Sequence, residues 1–146
     1  GSITKTVRIP YAEFMPGTQG ETWNVVADGY LRADTTGVHS YAASLVLPQG
    51  VTITAFRSRG YKEDSGDALQ CQFNVNDDSG GFTVLATNTH TAIAAWSTVT
   101  TSLSRLVGSS DSFLAYAILT PAGNIRDSRV MWIEVDYTMP SYDKGL

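Results

Sequence analysis

The sequence predicts an all-β fold, a two-sheet antiparallel β-sandwich of about eight to ten strands. Three observations lead to that prediction. Apolar and polar residues alternate in several segments, most clearly over residues 69–75, and this period of two gives a strand one buried and one wet face. Turn-forming clusters of Gly, Pro, Asn and Asp separate these segments at intervals of about 10 to 12 residues. No convincing amphipathic helix interrupts them.

Strands in the first half of the chain follow from alternation and from the residues that stop it. They are predicted at residues 3–9, 23–26, 30–33, 39–47 and 51–61. Pro10 closes the first of them, and the turn at residues 48–50 leads into the last. Gly60, near the end of that last strand, predicts a bulge or a close approach of another backbone.

The second half supplies further strands at residues 69–75, 82–87, 96–106, 113–119 and 129–139. Residues 88–95 are the one stretch that could hold a short helical turn. Residues 113–119 are apolar on both faces, which predicts a central strand covered on both sides. In the last strand, simple alternation puts Val130 on the same face as Trp132. Eight strands fit this length comfortably as a jelly roll, so the sandwich is predicted to be jelly-roll-like.

The length of 146 residues fits one domain, residues 1–146, with its own core. Gly1 and Ser2 are interpreted as a cloning remnant, and residues 141–146 as a flexible tail. The single cysteine, Cys71, lies on the apolar side of an alternating strand. It is therefore expected to be a small buried hydrophobe.

Charge and composition exclude some classes of partner. The net charge is −4, from 10 basic and 14 acidic residues, and the basic residues are scattered, which argues against nucleic-acid binding. No apolar run is long enough to cross a membrane, so membrane insertion is not expected. Charged residues make up only 16% of a chain rich in Ser, Thr, Gly and Ala. This balance favours an extracellular, surface-associated or virion-associated protein.

Several sequence features together resemble a jelly-roll module that recurs in secreted and surface proteins of bacteria and phages. They are an I-P-x-x-x-F-x-P element, an L-P-x-G-x-x-I-T element and a closing V-x-Y: Ile9, Pro10, Phe14, Pro16; Leu47, Pro48, Gly50, Ile53, Thr54; Val135, Tyr137. The better-understood jelly rolls that it is similar to are carbohydrate-binding modules and trimeric C1q/TNF-like domains. The resemblance covers most of the chain and implies the fold and a non-catalytic role. It transfers no binding residue.

Catalytic signatures are sparse. His39 and His90 are the only histidines, and although Ser40 and Ser97 lie near them in sequence, no G-x-S-x-G nucleophile elbow exists. Two histidines and one cysteine leave a zinc site short of ligands. The chain is therefore predicted not to be an enzyme, with a hydrolase of unrecognised type as the remaining catalytic alternative.

Two acidic loops are candidates for calcium, which takes six to eight oxygen ligands. Their carboxylates belong to Glu63, Asp64 and Asp67 in one loop and to Asp77 and Asp78 in the other. Neither loop has the spacing of an EF-hand, and turn chemistry, in which Asp accepts hydrogen bonds from its own backbone, competes with the metal interpretation.

Aromatic side chains next to polar ones are the best remaining signal, because sugar rings stack on exposed aromatic faces while polar neighbours bind hydroxyls. The candidates are Trp132 with Glu134 and Asp136, and Trp96, Trp23 and Tyr61. Trp132 alternates with charged residues, so it is the tryptophan expected outside the core. Each aromatic side chain could instead belong to the core or an edge.

These observations predict a non-catalytic binding module that recognises carbohydrate. The alternative is a self-assembling structural or virion domain, a homotrimer, in which the two-sided apolar strand at residues 113–119 forms a subunit interface. The two functions are compatible.

Overall fold

The computed structural model describes residues 1–16, 25–26, 29–33, 37–122 and 128–140, with the backbone alone at 25–26. Trp23 and the predicted tail at residues 141–146 lie outside the described residues. A single 3-10 turn, Tyr11–Glu13, accompanies eleven described strands. They are β1 Ser2–Pro10, β2 Met15–Pro16, β3 Val25–Val26, β4 Tyr30–Arg32, β5 His39–Leu45, β6 Thr52–Lys62, β7 Ala68–Asn76, β8 Phe82–Thr89, β9 Ala95–Leu106, β10 Ser112–Thr120 and β11 Arg129–Pro140.

The strands form two antiparallel sheets. Sheet A has six strands in the order β3-β4-β11-β6-β9, with β1 also paired to β11. Sheet B has five strands in the order β2-β5-β10-β7-β8. The all-β, two-sheet prediction is confirmed. No helix among the described residues is long and apolar enough to cross a membrane.

The core lies between the sheets and is built from the apolar side of each alternating strand. Three phenylalanine rings stack across it, with 5.4 Å between the centroids of Phe56 and Phe73 and 5.4 Å between those of Phe73 and Phe113. Phe56 belongs to sheet A and the other two to sheet B, so this stack joins the sheets. Cys71 is fully buried, as expected, and burial raises the pKa of its thiol to about 12.

A β-bulge in β11 changes the face that residues present. In β11, Val130 pairs with Gly60 and Trp132 with Arg59, so Met131 is an extra residue. The prediction that Val130 shares the face of Trp132 is wrong for this reason, and Val130 is fully buried. Gly60 does meet the close approach that was predicted, although the bulge is on the partner strand.

Two further expectations differ from the structure. The helical turn predicted at residues 88–95 is not formed, because β8 continues to Thr89 and Ile93 makes a parallel bridge with Lys62. Strand β10 is the central strand of sheet B, as predicted, but its outer face is not covered by the described residues. The outward side chains of Leu114, Tyr116 and Ile118 are only half-buried.

Candidate functional site

A groove of about 260 Å³ lies on the outer face of sheet B. Its walls come from four neighbouring strands, β5, β10, β7 and β8. The lining side chains are Ser40, Gln72, Asn74, Asn76, Phe82, Tyr116 and Ile118. The groove therefore runs over the middle of the sheet rather than at a loop end.

Strand alternation explains why these side chains point outward. In β7, Cys71, Phe73 and Val75 fill the core, so the intervening amides face away from it. In β10, Ala115 and Ala117 are fully buried, and Tyr116 between them faces out. Register then brings the two rows together: Tyr116 is opposite Gln72, and Leu114 is opposite Asn74.

Asn74 is the unusual residue of the groove. Its side chain belongs to the outer face, yet it is only 5% exposed, and its Oδ1 accepts no hydrogen bond in the described structure. The pairing of β7 with β8 shifts register between Phe73 and Asn74. A buried acceptor without a donor costs about 1 to 3 kcal/mol. Buried acceptors of this kind are explained by strain, by a bound water molecule or by a functional role.

The groove's chemistry is neutral. It presents three amides, a hydroxyl, a phenol and two apolar side chains, without any carboxylate or imidazole in its lining. These groups can donate and accept hydrogen bonds and provide a ring face for stacking. At neutral pH they offer neither a general acid and base pair nor an activated nucleophile.

The predicted residues Trp132, Glu134 and Asp136 lie together on the outer face of sheet A. Trp132 is half-buried, and the guanidinium of Arg8 lies 4.5 Å from its ring centroid. Both carboxylates are engaged in hydrogen bonds with cations. Glu134 Oε2 accepts from Arg8 at 2.8 Å and its Oε1 from Arg57 at 3.1 Å.

Asp136 is held in the same network. It accepts two bonds of 2.6 Å from Arg57 and one of 2.7 Å from Thr6. The hydrogen bonds from Arg57 are the main reason that the pKa of Asp136 lies below its usual range. All four carboxylate oxygens of Glu134 and Asp136 are thus already occupied. The network has the chemistry of a structural ion pair, and ligand binding by these residues stays a prediction.

Trp96 and Tyr61 are brought together at one end of sheet A. Their ring centroids are 5.5 Å apart, and Tyr30 lies 6.0 Å from Trp96. Arginine side chains lie over these rings, with Arg129 4.4 Å from the Tyr61 centroid and Arg59 5.9 Å from that of Trp96. Trp23, the third tryptophan of the prediction, lies outside the described residues.

Two carboxylates of the acidic loops accept hydrogen bonds from the protein itself. Asp67 is 3% exposed, and its carboxylate accepts from the backbone N–H groups of Ala122 at 2.9 Å and Asp64 at 3.3 Å. Asp77 accepts from the backbone N–H and the hydroxyl of Ser79, and these bonds lower its pKa. Among the described residues, no group of three His, Cys, Asp or Glu side chains could hold a metal ion. The observed contacts are those of turns.

A serine and histidine pair does exist, but it lies inside the sandwich. The Nε2 atom of His90 is 2.8 Å from Ser58 Oγ, and its Nδ1 is 3.0 Å from Ser97 Oγ. Ser58 is fully buried and His90 is 1% exposed, so a substrate cannot reach them. Burial lowers the pKa of His90 to about 4 and keeps the ring neutral near pH 7. These hydrogen bonds satisfy buried polar groups rather than activate a nucleophile.

The groove was not identified from the sequence, although part of its signal was there. Gln70, Gln72, Asn74 and Asn76 occupy alternate positions of one strand, and a row of amides on a wet face is a recognisable pattern. Tyr116 was assigned to a two-sided apolar strand instead. Only the pairing of β7 with β10 places it beside that row.

No protein-family model and no curated protein sequence matches the chain. Solved structures with a similar fold include the C-terminal CBM6 of LamC, a marine laminarinase of Zobellia galactanivorans (TM-score 0.54, 14% identity, 90% of this chain and 98% of that one). Another is the CBM36-1 domain of a xylanase from the hindgut metagenome of Trinervitermes trinervoides (0.56, 9%, 90% and 96%).

A third is a carbohydrate-binding module CBM36 in complex with calcium and xylotriose, with a TM-score of 0.54 and 14% identity. That alignment covers 88% of this chain and 98% of the module. Identities this low establish the fold alone. The alignments cover nearly the whole length of both chains. The chain therefore has the jelly-roll β-sandwich fold found in these carbohydrate-binding modules.

Proposed function

We propose that the chain is a non-catalytic carbohydrate-binding module that holds an uncharged glycan in the groove on sheet B. One sugar ring stacks on Tyr116, and the amides of Gln72, Asn74 and Asn76 bind its hydroxyls. The observation that carries the proposal is the buried, unpartnered Oδ1 of Asn74 beside the half-buried ring of Tyr116. A sugar hydroxyl is a donor of the right kind for that acceptor.

The length of the row of amides indicates how long a bound oligosaccharide can be. Gln70 and Asn76 are six residues apart on β7, which corresponds to about 20 Å along the strand. Tyr116 and Ile118 run beside this row on β10. The surface thus suits several units of an extended oligosaccharide, with apolar ring faces toward β10 and hydroxyls toward β7. The xylotriose bound by the CBM36 module is a ligand of this neutral, short-chain type.

The proposal includes a location outside the cytoplasm, at a cell or virion surface, which is supported by the low charge content and by the many Ser and Thr residues. Calcium has no part in it. The CBM36 module binds calcium, but in this chain the carboxylate of Asp67 already accepts hydrogen bonds from the backbone of Asp64 and Ala122, and that of Asp77 from Ser79.

The test is a calorimetric titration that measures the affinity for neutral oligosaccharides, beginning with xylotriose and cellotriose. We expect Tyr116→Ala to lower the affinity about tenfold or more, because the stacking face is lost. Asn74→Leu should lower it similarly while leaving thermal stability unchanged or raised, since an unsatisfied buried acceptor is removed. Thr100→Ala, on the outer face of sheet A, is the control and should bind like the wild type.

The proposal fails if no neutral glycan on a broad array binds, or if both groove variants keep the wild-type affinity. Loss of stability in Asn74→Leu would also count against it, because that would mean the amide is satisfied within the folded chain.

A further inference from the structure

A row of cationic and aromatic side chains crosses the outer face of sheet A at one end. Register places Trp96 of β9 opposite Tyr61 of β6, Tyr61 opposite Arg129 of β11, and Arg129 opposite Arg32 of β4. The four strands are hydrogen-bonded neighbours, so the row is about 15 Å wide. We call these four residues, together with the adjacent Arg59, the arginine–aromatic surface.

Guanidinium groups and rings are in direct contact on this surface. Arg129 lies over two rings, 4.4 Å from the centroid of Tyr61 and 5.1 Å from that of Tyr30. Arg59 lies 5.9 Å from the centroid of Trp96 and donates a hydrogen bond of 3.1 Å to Thr98. Contact with the rings holds the guanidinium groups of Arg129 and Arg59 against the aromatic side chains.

The arginines of the described structure fall into two groups. Arg8, Arg57 and Arg105 each form an ion pair with a carboxylate. Arg32, Arg59 and Arg129 form none with any described residue. Glu63 raises the pKa of the Tyr61 phenol, but it forms no ion pair with these arginines in the described structure.

This arrangement carries two costs. Arg32 and Arg129 are directly opposite each other on neighbouring strands, and like charges at such positions are destabilising. The Nε atoms of both residues are buried, and neither has a hydrogen-bond acceptor in the described structure. An anion bound by both guanidinium groups would neutralise the repulsion between them.

We propose that the arginine–aromatic surface is a second binding site, for an anionic sugar unit whose carboxylate or sulfate group binds Arg32 and Arg129. Both anions match the fork of N–H donors that a guanidinium presents. The rings of Tyr61 and Trp96 then contact the apolar face of the sugar. Three cations that have no carboxylate partner among the described residues, on a chain with a net charge of −4, are too few for a nucleic-acid backbone, which favours a small acidic glycan.

The site does not rest on the neutral groove. The groove is on the outer face of sheet B and is lined by uncharged groups, whereas the arginine–aromatic surface is on the outer face of sheet A. Variants of one surface should leave the other intact, so failure of one proposal can be told from failure of the other.

The experiment compares three matched trisaccharides on the full chain: tri-galacturonate, a sulfated galactotriose and neutral galactotriose. We expect one or both acidic ligands to bind at least about tenfold more tightly than the neutral one. The preference should shrink between about 50 mM and about 500 mM salt. The uronate and sulfate arms identify which anion the site takes.

Arg129→Gln and Arg32→Gln should each lower the acidic-ligand affinity about tenfold, while Lys5→Gln should not change it. Lys5 is exposed and pairs with Tyr137, about 27 Å along β11 from Arg129, so it controls for the loss of one charge. Arg32→Gln should also raise the melting temperature, because the repulsion is relieved.

If an arginine variant does not fold, the wild-type protein still decides the question through the indole N–H resonance of Trp96. A shift of that resonance with the acidic trisaccharide, absent with the neutral one, supports the site. Equal binding of all three sugars, no shift at Trp96, or tighter binding of a single-stranded oligonucleotide than of either acidic sugar would overturn the proposal.

Discussion

Gly60 of β6 lies close to atoms of both sheets. A Cβ atom at this position would lie 2.7 Å from Leu69 Cδ2, 3.2 Å from the carbonyl oxygen of Arg129 and 3.2 Å from His90 Cε1. Leu69 belongs to sheet B. The carbonyl oxygen belongs to Arg129 of the neighbouring strand β11, and His90 is the buried histidine that is hydrogen-bonded to Ser58 and Ser97. The first contact is shorter than real Cβ contacts allow, so a side chain here must displace a packed neighbour.

We therefore expect Gly60→Ala to lower the free energy of unfolding by about 1 to 3 kcal/mol, the usual range for overpacking. The measurement is urea denaturation followed by tryptophan fluorescence. Gly81→Ala is the matched control, because the nearest atom to its added Cβ is Ser79 Oγ at 4.0 Å, and it should change stability by less than about 0.5 kcal/mol. Equal effects of the two substitutions would contradict the packing argument.

Single residues also mark the limit of what alternation predicts. The pattern of residues 69–75 correctly placed Leu69, Cys71 and Phe73 in the core. It could not indicate that Asn74, on the wet side, is 95% covered, because that burial depends on neighbouring strands. Val130 was misplaced for a related reason: one extra residue in β11 changes the phase of the alternation, and a bulge has no clear signature in the sequence.

At the level of elements, the ion-pair network connects side chains of three strands of sheet A. Arg57 of β6 is bonded to Glu134 and Asp136 of β11, and Arg8 of β1 is bonded to Glu134. The side chain of Arg57 is 23% exposed, and those of Glu134 and Asp136 are 12% and 16% exposed. Removing Arg57 would leave two poorly solvated carboxylates close together without this shared cation.

Arg57→Met should therefore lower the unfolding free energy by about 2 to 3 kcal/mol, less than for a fully buried pair because solvent screens part of the charge. Arg8→Met is the control: its side chain is 54% exposed, and its removal should cost less than about 1 kcal/mol. Denaturant titration at neutral pH measures both. A smaller loss for Arg57 than for Arg8 would mean that the network does not fasten the strands.

The difference in unfolding free energy between the wild type and Arg57→Met should depend on pH. The pKa of Asp136 is depressed in the folded protein, so its contribution to stability is present above the unfolded value near 4 and is lost as pH falls through the lower folded value. In Arg57→Met the carboxylates take up protons more readily. The stability gap between wild type and variant should consequently narrow below about pH 4, and a gap that widens there would contradict this account.

Strands were predictable to within a few residues because alternation and turn residues are local signals. The role of the loops between the strands was harder to predict. The acidic loops were ambiguous in the sequence because turn formation and calcium binding use the same residue types. The choice between them depends on where the oxygens point, and Asp67 points at the backbone of Ala122, 55 residues away.

For the whole molecule, the fold class followed from the sequence and the candidate sites did not. The groove joins Ser40, Gln72 and Tyr116 from strands far apart in the chain, and the arginine–aromatic surface joins Arg32, Tyr61 and Arg129 in the same way. Strand order determines these neighbours, and local periodicity contains no information about strand order. Trp132 was correctly expected outside the core, but its neighbours Arg8 and Arg57 could not be identified without the pairing of β1, β11 and β6.

The oligomeric state depends on whether the outer face of β10 is free. The trimer predicted from the two-sided apolar strand would bury the outer face of β10, with Leu114, Tyr116 and Ile118 at its centre. The same interface would enclose the unpartnered Oδ1 of Asn74 and the neighbouring amides, which is costly without matched partners. We therefore expect light scattering to give the mass of one chain at all concentrations up to about 1 mM, well above the dissociation constant of any stable trimer.

Tyr116→Ala is the control in this measurement and should leave the mass unchanged, because in our account this side chain binds a ligand and not a second chain. A stable trimer that dissociates on Leu114→Glu would reverse the assignment. The face would then be a subunit interface, the groove would be closed to glycan, and the arginine–aromatic surface on sheet A would be the site left open to a ligand.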